Sequence, residues 1–519
     1  MAKGKTIICP YCCNKFQPDK VDFRLERPLE AANDAEEDES EAEEEQKPSM
    51  MGIHMQKTVA KTKNIKRQGK SEGRVIDEKL CKYYMNYLHQ SRDDAESNSV
   101  LLPAAAFDSM SPDFEYDSRI YSEYGYVTEV TYRGQILTNR LCPLCHNPVV
   151  SNAGKYDMMI ISVIGDTNVG KSIYLLMLGQ MLKQDREFDG SMLFMGTDAE
   201  KEMYFGNVDK LLNKKMLEAN VRQKVPPMPF LYKFKVPGKP DKQSAIIVFC
   251  DIAGEDCRDS EALKRNGYHL KISSGIFFLI DPTRFSRIKN VINFDKDNAS
   301  MISNRHQYTI LEAINQYLMN SPDIDKSDIP TAIVLTKCDE LKGLPYFTTD
   351  GSHMALLEDT RGADMHPGYL SIKETNNLNS EIEEFLNKID ELQGIKDLFN
   401  TYSFFFSSPL GMTPEYVDIE NDGVTTQEKR VRNIQPYRVT EPFYWILMQN
   451  GLIPCKNIEA WRNKKGQEKK VVTYFYEDEA PASVENQKKA NRVKEGIVEK
   501  EGLSAIFGQG WEKLYSEDA

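Results

Sequence analysis

From Met159 to Phe406 the chain reads as short apolar runs separated by helical repeats, and the runs end on polar residues. Met159, Ile160, Ile161, Val163 and Ile164 form the first run, which suits a strand buried on both faces. Ile173, Leu175, Leu176, Leu178 and Leu182 continue as an apolar helix. Phe230, Tyr232, Phe234 and Val236 alternate as a strand with one polar face. Ala245–Cys250, Gly275–Ile280, Ala332–Leu335 and Tyr402–Phe406 read as further strands, the last of them closing the series. Helices are predicted around Ile310, Leu311, Ile314, Tyr317 and Leu318, and around Ile382, Phe385, Leu386, Ile389 and Leu392. Alternation of this kind predicts an α/β fold with a mostly parallel, doubly wound sheet. Upstream, Leu80, Tyr83, Tyr84, Tyr87 and Leu88 predict one packed helix, and Tyr126–Leu141 alternates like a strand.

The first strand runs into Gly165-Asp166-Thr167-Asn168-Val169-Gly170-Lys171-Ser172, and a helix follows. Strand, glycine-bracketed loop and helix together form the context of a phosphate-binding loop. The glycines let the backbone wrap a phosphate chain, so that successive N–H groups and the helix N-terminus face the anion. Lys171 is suited to reach the terminal phosphates and Ser172 to ligate magnesium. Later strands end on Asp251-Ile-Ala-Gly254-Glu255, on Asp281-Pro282, on Thr336-Lys337-Cys338-Asp339 and on Ser407-Ser408. Open parallel sheets bind ligands at that edge.

Composition narrows the class. The 519 residues are 40% hydrophobic and leave room for two or three domains. No apolar run reaches the ~18 residues of a membrane span, and the first residues lack the pattern of a signal peptide. A cytoplasmic protein is expected. The net charge of -13 disfavours nucleic acid as the main partner, apart from a local basic patch. Cys9-Pro-Tyr-Cys12 and Cys142-Pro-Leu-Cys145 are two knuckles whose four thiolates suit a structural zinc ion. Unrelated reduced cysteines or a redox pair are the alternative, and Cys13 and His146 stand beside the knuckles as substitute ligands. Between the knuckles, the acidic run Asp34–Glu45 and the basic run Lys57–Arg74 read as solvated linkers.

GDTNVGKS, DIAGE and TKCD in that order resemble a P-loop GTPase of the translation-factor-related and Ras-like (TRAFAC) class. The cysteine knuckles and PYRVTEPFYWILM resemble, more narrowly, the bacterial double-GTPase family tied to conflict systems. The resemblance implies GTP and GDP as ligands, with magnesium held by Ser172, by Asp251 through water and by a switch threonine. Only Thr197 is offered for that switch position, although Glu200 three residues on fits a helix cap equally well. Gly254 would meet the γ-phosphate and Glu255 would position the attacking water. Extra positive charge would then come from a partner, from Arg258 or from a cation. Asp339 would accept hydrogen bonds from guanine, with Lys337 along the base plane. Thr336 would take over the tie to the phosphate loop, and Ser407 and Ser408 would back the guanine carbonyl. Asn168 stands where potassium-activated GTPases carry a cation ligand, and an asparagine that suits a turn is the alternative.

The expected organisation is a zinc-ribbon-like module over 1–150 with an insertion near 19–125. A GTPase domain over 151–455 and a charged extension over 456–519 follow, Trp511 suggesting that the tail docks. The expected function is magnesium-dependent hydrolysis of GTP as a conformational switch for a protein partner. A scaffold that binds GTP without turnover, or an ATPase on the same loop, are the alternatives.

Overall fold

The computed structural model describes residues 4–24, 75–101, 118–132, 134–186, 188–213, 226–236, 241–285, 329–348, 372–388, 399–421, 424–463, 468–475 and 511–516, with scattered positions between 216 and 357. The two predicted linkers lie outside these residues, as do Leu311, Leu318, Ile389 and Leu392. Two compact units are present, one spanning 19–148 and the other joining 3–18 to 149–519.

The larger unit is built on seven strands: β1 (Asp157–Gly165), β2 (Ser191–Phe194), β3 (Met228–Phe234), β4 (Gln243–Asp251), β5 (Gly275–Ile280), β6 (Thr331–Leu335) and β7 (Tyr402–Phe406). Their order in the sheet is β2-β3-β4-β1-β5-β6-β7. β4, β1, β5, β6 and β7 are mutually parallel, and β3 runs antiparallel to both its neighbours. The sheet is thus α/β and mostly parallel. Because β1 lies between β4 and β5, successive connections leave it in opposite directions, which opens a crevice at its carboxyl end.

Period-two alternation assigns the strand side chains to two cores. Ile161, Val163, Phe277, Leu279, Val334 and Phe405 face one core, while Ile164, Phe278, Ile280, Ile333, Leu335 and Phe406 face the other. Both faces are apolar because helices cover both, which is why these strands read as continuous hydrophobic runs. The first face is covered by α1 (Lys171–Leu182), α2 (Asp198–Leu212) and α5 (Glu441–Gln449), and α3 (Ser260–Asn266) and α4 (Ile372–Lys388) lie with the second. Each fully buried Leu or Phe contributes roughly 1.5–3 kcal/mol through the water it releases.

Several strands carry no sequence signature. β2 is a four-residue edge strand, and Glu415–Asn421 and Val424–Arg430 form a two-stranded hairpin. Cys455–Asn463 pairs with Glu468–Phe475, and Trp511–Ser516 pairs with Glu459–Asn463 as the third strand, so the tail docks there. Backbone pairing defines these strands. Among the described residues, no helix is long and apolar enough to cross a membrane.

The smaller unit contains short paired strands, a three-stranded antiparallel sheet over 118–137 and two helices, Glu78–Tyr87 and Arg92–Asn98. Its polar centre is His146, buried between two carboxylates: Nδ1 lies 2.9 Å from Asp77 and Nε2 2.9 Å from Asp22. Burial opposes the charged imidazole, but the two carboxylates raise its pKa above the usual value. Asp77 also caps the helix Glu78–Tyr87 through the N–H groups of Lys79 and Leu80.

Helix α5 is buried from Phe443 to Met448 and is anchored by one carboxylate. Tyr444 donates to Asp185 Oδ1 at 2.7 Å, and Tyr232 of β3 donates to the other oxygen. Asp185→Ala leaves two buried hydroxyls without that acceptor and is expected to cost roughly 1–3 kcal/mol. Urea unfolding of the variant, compared with Tyr444→Phe, measures this. An unchanged midpoint would remove Asp185 as the anchor.

Candidate nucleotide site

The phosphate loop joins β1 to α1 and is held open from several sides. Gly165 has φ 148°, and a Cβ there would lie 2.5 Å from the Leu279 carbonyl oxygen, so only glycine fits. Asn168 takes a left-handed φ of 61°, a turn conformation that asparagine tolerates. Helix α1 begins at Lys171 with Gly170 as N-cap and no side-chain cap, leaving its first N–H groups for an anion. Lys171 Nζ donates to the carbonyls of Gly165 at 3.0 Å and Asp166 at 3.1 Å. The Thr336 hydroxyl donates to the Val169 carbonyl at 2.8 Å, tying the Thr-Lys-Cys-Asp segment to the loop.

Strand β4 delivers Asp251 to the same edge, and the next residues close onto the loop. A Cβ on Gly254 would lie 2.2 Å from the Thr167 nitrogen, so the backbone there touches Asp166 and Thr167 directly. Glu255 follows as an exposed residue before the 3-10 turn Asp256–Arg258. On the other flank, Lys337 sits at φ 56° and Asp339 accepts from Ser408 Oγ at 2.5 Å and from Thr413 Oγ1 at 3.4 Å. Ser407 is fully buried, and among the described residues its hydroxyl has no hydrogen-bond partner.

Comparison with known families follows the same residues. Residues 159–387 match the family described as Double-GTPase 2. This stretch is similar to the double-GTPase family. No curated protein matches the chain. Similar solved structures include elongation factor SelB of Methanococcus maripaludis in complex with the GTP analogue GppNHp, at 10% identity and a TM-score of 0.22 over 62% of this chain and 41% of that one. The chain therefore matches about two fifths of that factor's length. The Ski7 GTPase-like domain of S. cerevisiae bound to GDP and inorganic phosphate gives 12% identity and a TM-score of 0.27 over 66% and 68% of the two chains. The Arl6 BBS3 small GTPase of Trypanosoma brucei with bound GppNp gives 10% identity and a TM-score of 0.23 over 56% and 95%.

Charged groups dominate the surroundings of the loop. Asp166 is buried, and Arg258 reaches its Oδ1 with Nε at 2.9 Å and also through Nη2. The same Nη2 donates to Thr167 Oγ1 at 2.7 Å. Arg284 donates from Nη1 to Asp166 Oδ2 at 3.0 Å and from Nη2 to the Thr167 carbonyl at 2.7 Å. Its Nε lies 3.2 Å from Asp281, which also pairs with Lys337 Nζ at 2.7 Å. Burial would raise the Asp281 carboxyl, but Lys337 and Arg284 overcome it and hold the pKa below the ordinary range. Burial also lifts Glu340, beside Asp339, to about 7.

The sequence pointed to Asp281 only as a strand end and passed over Arg284 and Thr413 altogether. Arg284 stands three residues beyond that strand end, and Thr413 lies in a loop before a polar hairpin. Thr197 is placed at the N-cap of α2: its hydroxyl accepts from Glu200 N–H at 3.4 Å, and its own N–H donates to Glu200 Oε2 at 2.7 Å. β3 and β4 separate its strand from β1. The helix-cap reading describes this geometry, and a magnesium ligand would have to leave the cap.

Two donor sets fit metals. Among the described residues, Asp251 Oδ1 is buried without a hydrogen-bond partner, which fits a carboxylate oxygen that could take a cation or its water. The sulfurs of Cys9, Cys12, Cys142 and Cys145 all lie within 4.8 Å of one another, and all four residues are buried. Four converging thiols suit tetrahedral zinc, with Zn–S near ~2.3 Å. His146 is not among them, because both its ring nitrogens are engaged by carboxylates, and Cys13 is likewise outside the set.

Burial, opposed by Lys171, raises the pKa of Asp251 from 3.8 to about 6. The folded state therefore favours the protonated carboxyl. Asp251 costs no stability below about pH 4, and its cost grows as pH rises through 6. Asp251→Asn in metal-free protein is expected to gain on the order of 1–3 kcal/mol at pH 8, the gain fading toward pH 4. Denaturant melts at the two pH values check this, and a gain independent of pH would contradict it.

Proposed function

We propose that the chain binds GTP with magnesium and hydrolyses it to GDP and phosphate, switching its contacts with a protein partner. The observation that carries this reading is the Thr336–Val169 hydrogen bond. It fixes the base-reading segment against the phosphate loop, so one edge of the sheet presents Lys171, Asp251, Gly254 and Asp339 together. Lys171 compensates phosphate charge, while Ser172 and Asp251 hold magnesium, which would stabilise the triphosphate. Asp339 accepts from the guanine N–H groups with Lys337 along the ring, and Ser407 and Ser408 back the base. Asp339 offers adenine no such match, which sets the ATPase alternative aside.

Phosphoryl transfer needs an oriented water and compensation for charge on the phosphate oxygens. Glu255, next to Gly254, accepts a hydrogen bond from that water but also adds negative charge beside the γ-phosphate. Turnover by the isolated protein is therefore slow. Because Gly254 touches the loop backbone, any shift of the terminal phosphate is passed to the segment 254–258, the element a partner reads. A place in a bacterial conflict system is part of this reading and is supported by the double-GTPase resemblance.

Asp339→Asn replaces an acceptor with a donor and should move binding from GTP toward XTP by roughly 1–3 kcal/mol, or about 5- to 150-fold. Single-turnover assays with magnesium should show slow GTP hydrolysis by the wild type and no nucleotide binding by Lys171→Ala. Equal affinity for ATP and GTP would overturn the base assignment, and bound GTP that stays intact would leave the scaffold reading.

The four-cysteine cluster is proposed as a structural zinc site. Metal analysis is expected to find one zinc per chain, lost in Cys9→Ser and Cys142→Ser, while nucleotide binding persists. Purified protein without zinc would end that assignment.

A further inference from the structure

One ion-pair chain beside the phosphate loop is unequal in number: among the described residues, two buried carboxylates, Asp166 and Asp281, pair with three cations, Arg258, Arg284 and Lys337. Arg284 bridges both carboxylates and is 12% exposed, and Lys337 completes Asp281. Those two cations already balance the two carboxylates, so Arg258 is the surplus charge. It is also the more exposed arginine, at 26%, and it lies on the short turn just beyond Gly254 and Glu255. Withdrawing a cation from a buried carboxylate is costly when it strands the charge. Here it would not, because Arg284 remains on Asp166 Oδ2.

We propose that Arg258 is the charge-compensating residue for hydrolysis, supplied by this chain and stored on Asp166 until a terminal phosphate draws it away. This rests on the GTPase reading above. Arg258 already bonds Thr167 Oγ1, within the loop that would wrap the phosphates, so its guanidinium lies beside the place where it would act. A guanidinium fork suits phosphate oxygens, and the γ-phosphate carries more charge than a carboxylate already shared with Arg284. In the step it assists, the water oxygen bonds to the γ-phosphorus while the bond to the β–γ bridging oxygen breaks. GDP leaves with that electron pair, and the water proton passes to phosphate or solvent. Arg258 donates hydrogen bonds throughout and transfers no proton. Asp166 is then a positioning residue, and the exchange releases the turn Asp256–Arg258 from the loop.

The test uses the full chain with magnesium, Arg258→Ala and Arg258→Lys, and GDP binding measured with and without aluminium fluoride. Wild type is expected to hold GDP more tightly with aluminium fluoride, which mimics the transferring phosphoryl group. Arg258→Ala should keep GDP affinity within about twofold, lose that tightening, and hydrolyse GTP on the order of 10³-fold more slowly. Arg258→Lys should fall between. Retained tightening with an unchanged rate in Arg258→Ala overturns the inference. So does a loss of GDP affinity and melting temperature together, the mark of a merely structural clasp. Wild-type protein that binds GTP but never hydrolyses it overturns the GTPase reading and this inference with it, whereas the Arg258 outcomes overturn this inference alone.

Discussion

A loop that keeps its backbone amides for an anion forgoes the pairing that strands and helices provide, so its carbonyls must find other partners. In this protein they find side chains from three directions. Lys171 satisfies Gly165 and Asp166, Arg284 satisfies Thr167, and Thr336 satisfies Val169. Each donor is also a functional candidate or stands beside one. The loop's shape, the placement of the segment Thr336–Asp339 and the salt-bridge chain are therefore one mechanical object. Gly254 adds a fourth contact from outside, backbone against backbone, which only a residue without a Cβ can make.

The sheet makes that object stiff. Five parallel strands end on one edge, and their alternating side chains lock into helices on both faces, so the polar ends cannot shift independently. Helix α5 lies more than two hundred residues beyond the loop in sequence, yet it completes the core beneath it. Tyr174, one turn into α1, donates to the Val439 carbonyl at 2.9 Å. The helix behind the phosphate loop is thus anchored to the segment that leads into α5.

In both units, several buried ionic groups occur in compensated sets. His146 sits between Asp22 and Asp77, with Arg24 and Lys79 on the outer side of those carboxylates. Asp166 and Asp281 share Arg284. Asp251 differs: among the described residues its Oδ1 has no hydrogen-bond partner, Lys171 only partly offsets its burial, and a metal ion there would add the charge it lacks.

The sequence by itself determined the parallel strands, the phosphate loop and the order of the motifs, because buried strands and glycine-bracketed turns impose local patterns that survive in one dimension. It also paired the cysteine knuckles, since thiol spacing is itself chemical information. Tertiary structure alone decided what depends on distant groups. Arg284 has no motif, and its importance lies in bridging two carboxylates over a hundred residues apart in the chain. Thr197 and Glu200 form a capping box at the start of α2, a contact the sequence offered beside the switch role. The strands Glu415–Asn421, Val424–Arg430, Cys455–Asn463, Glu468–Phe475 and Trp511–Ser516 were not read from the local pattern, because it is backbone pairing with distant segments that defines them.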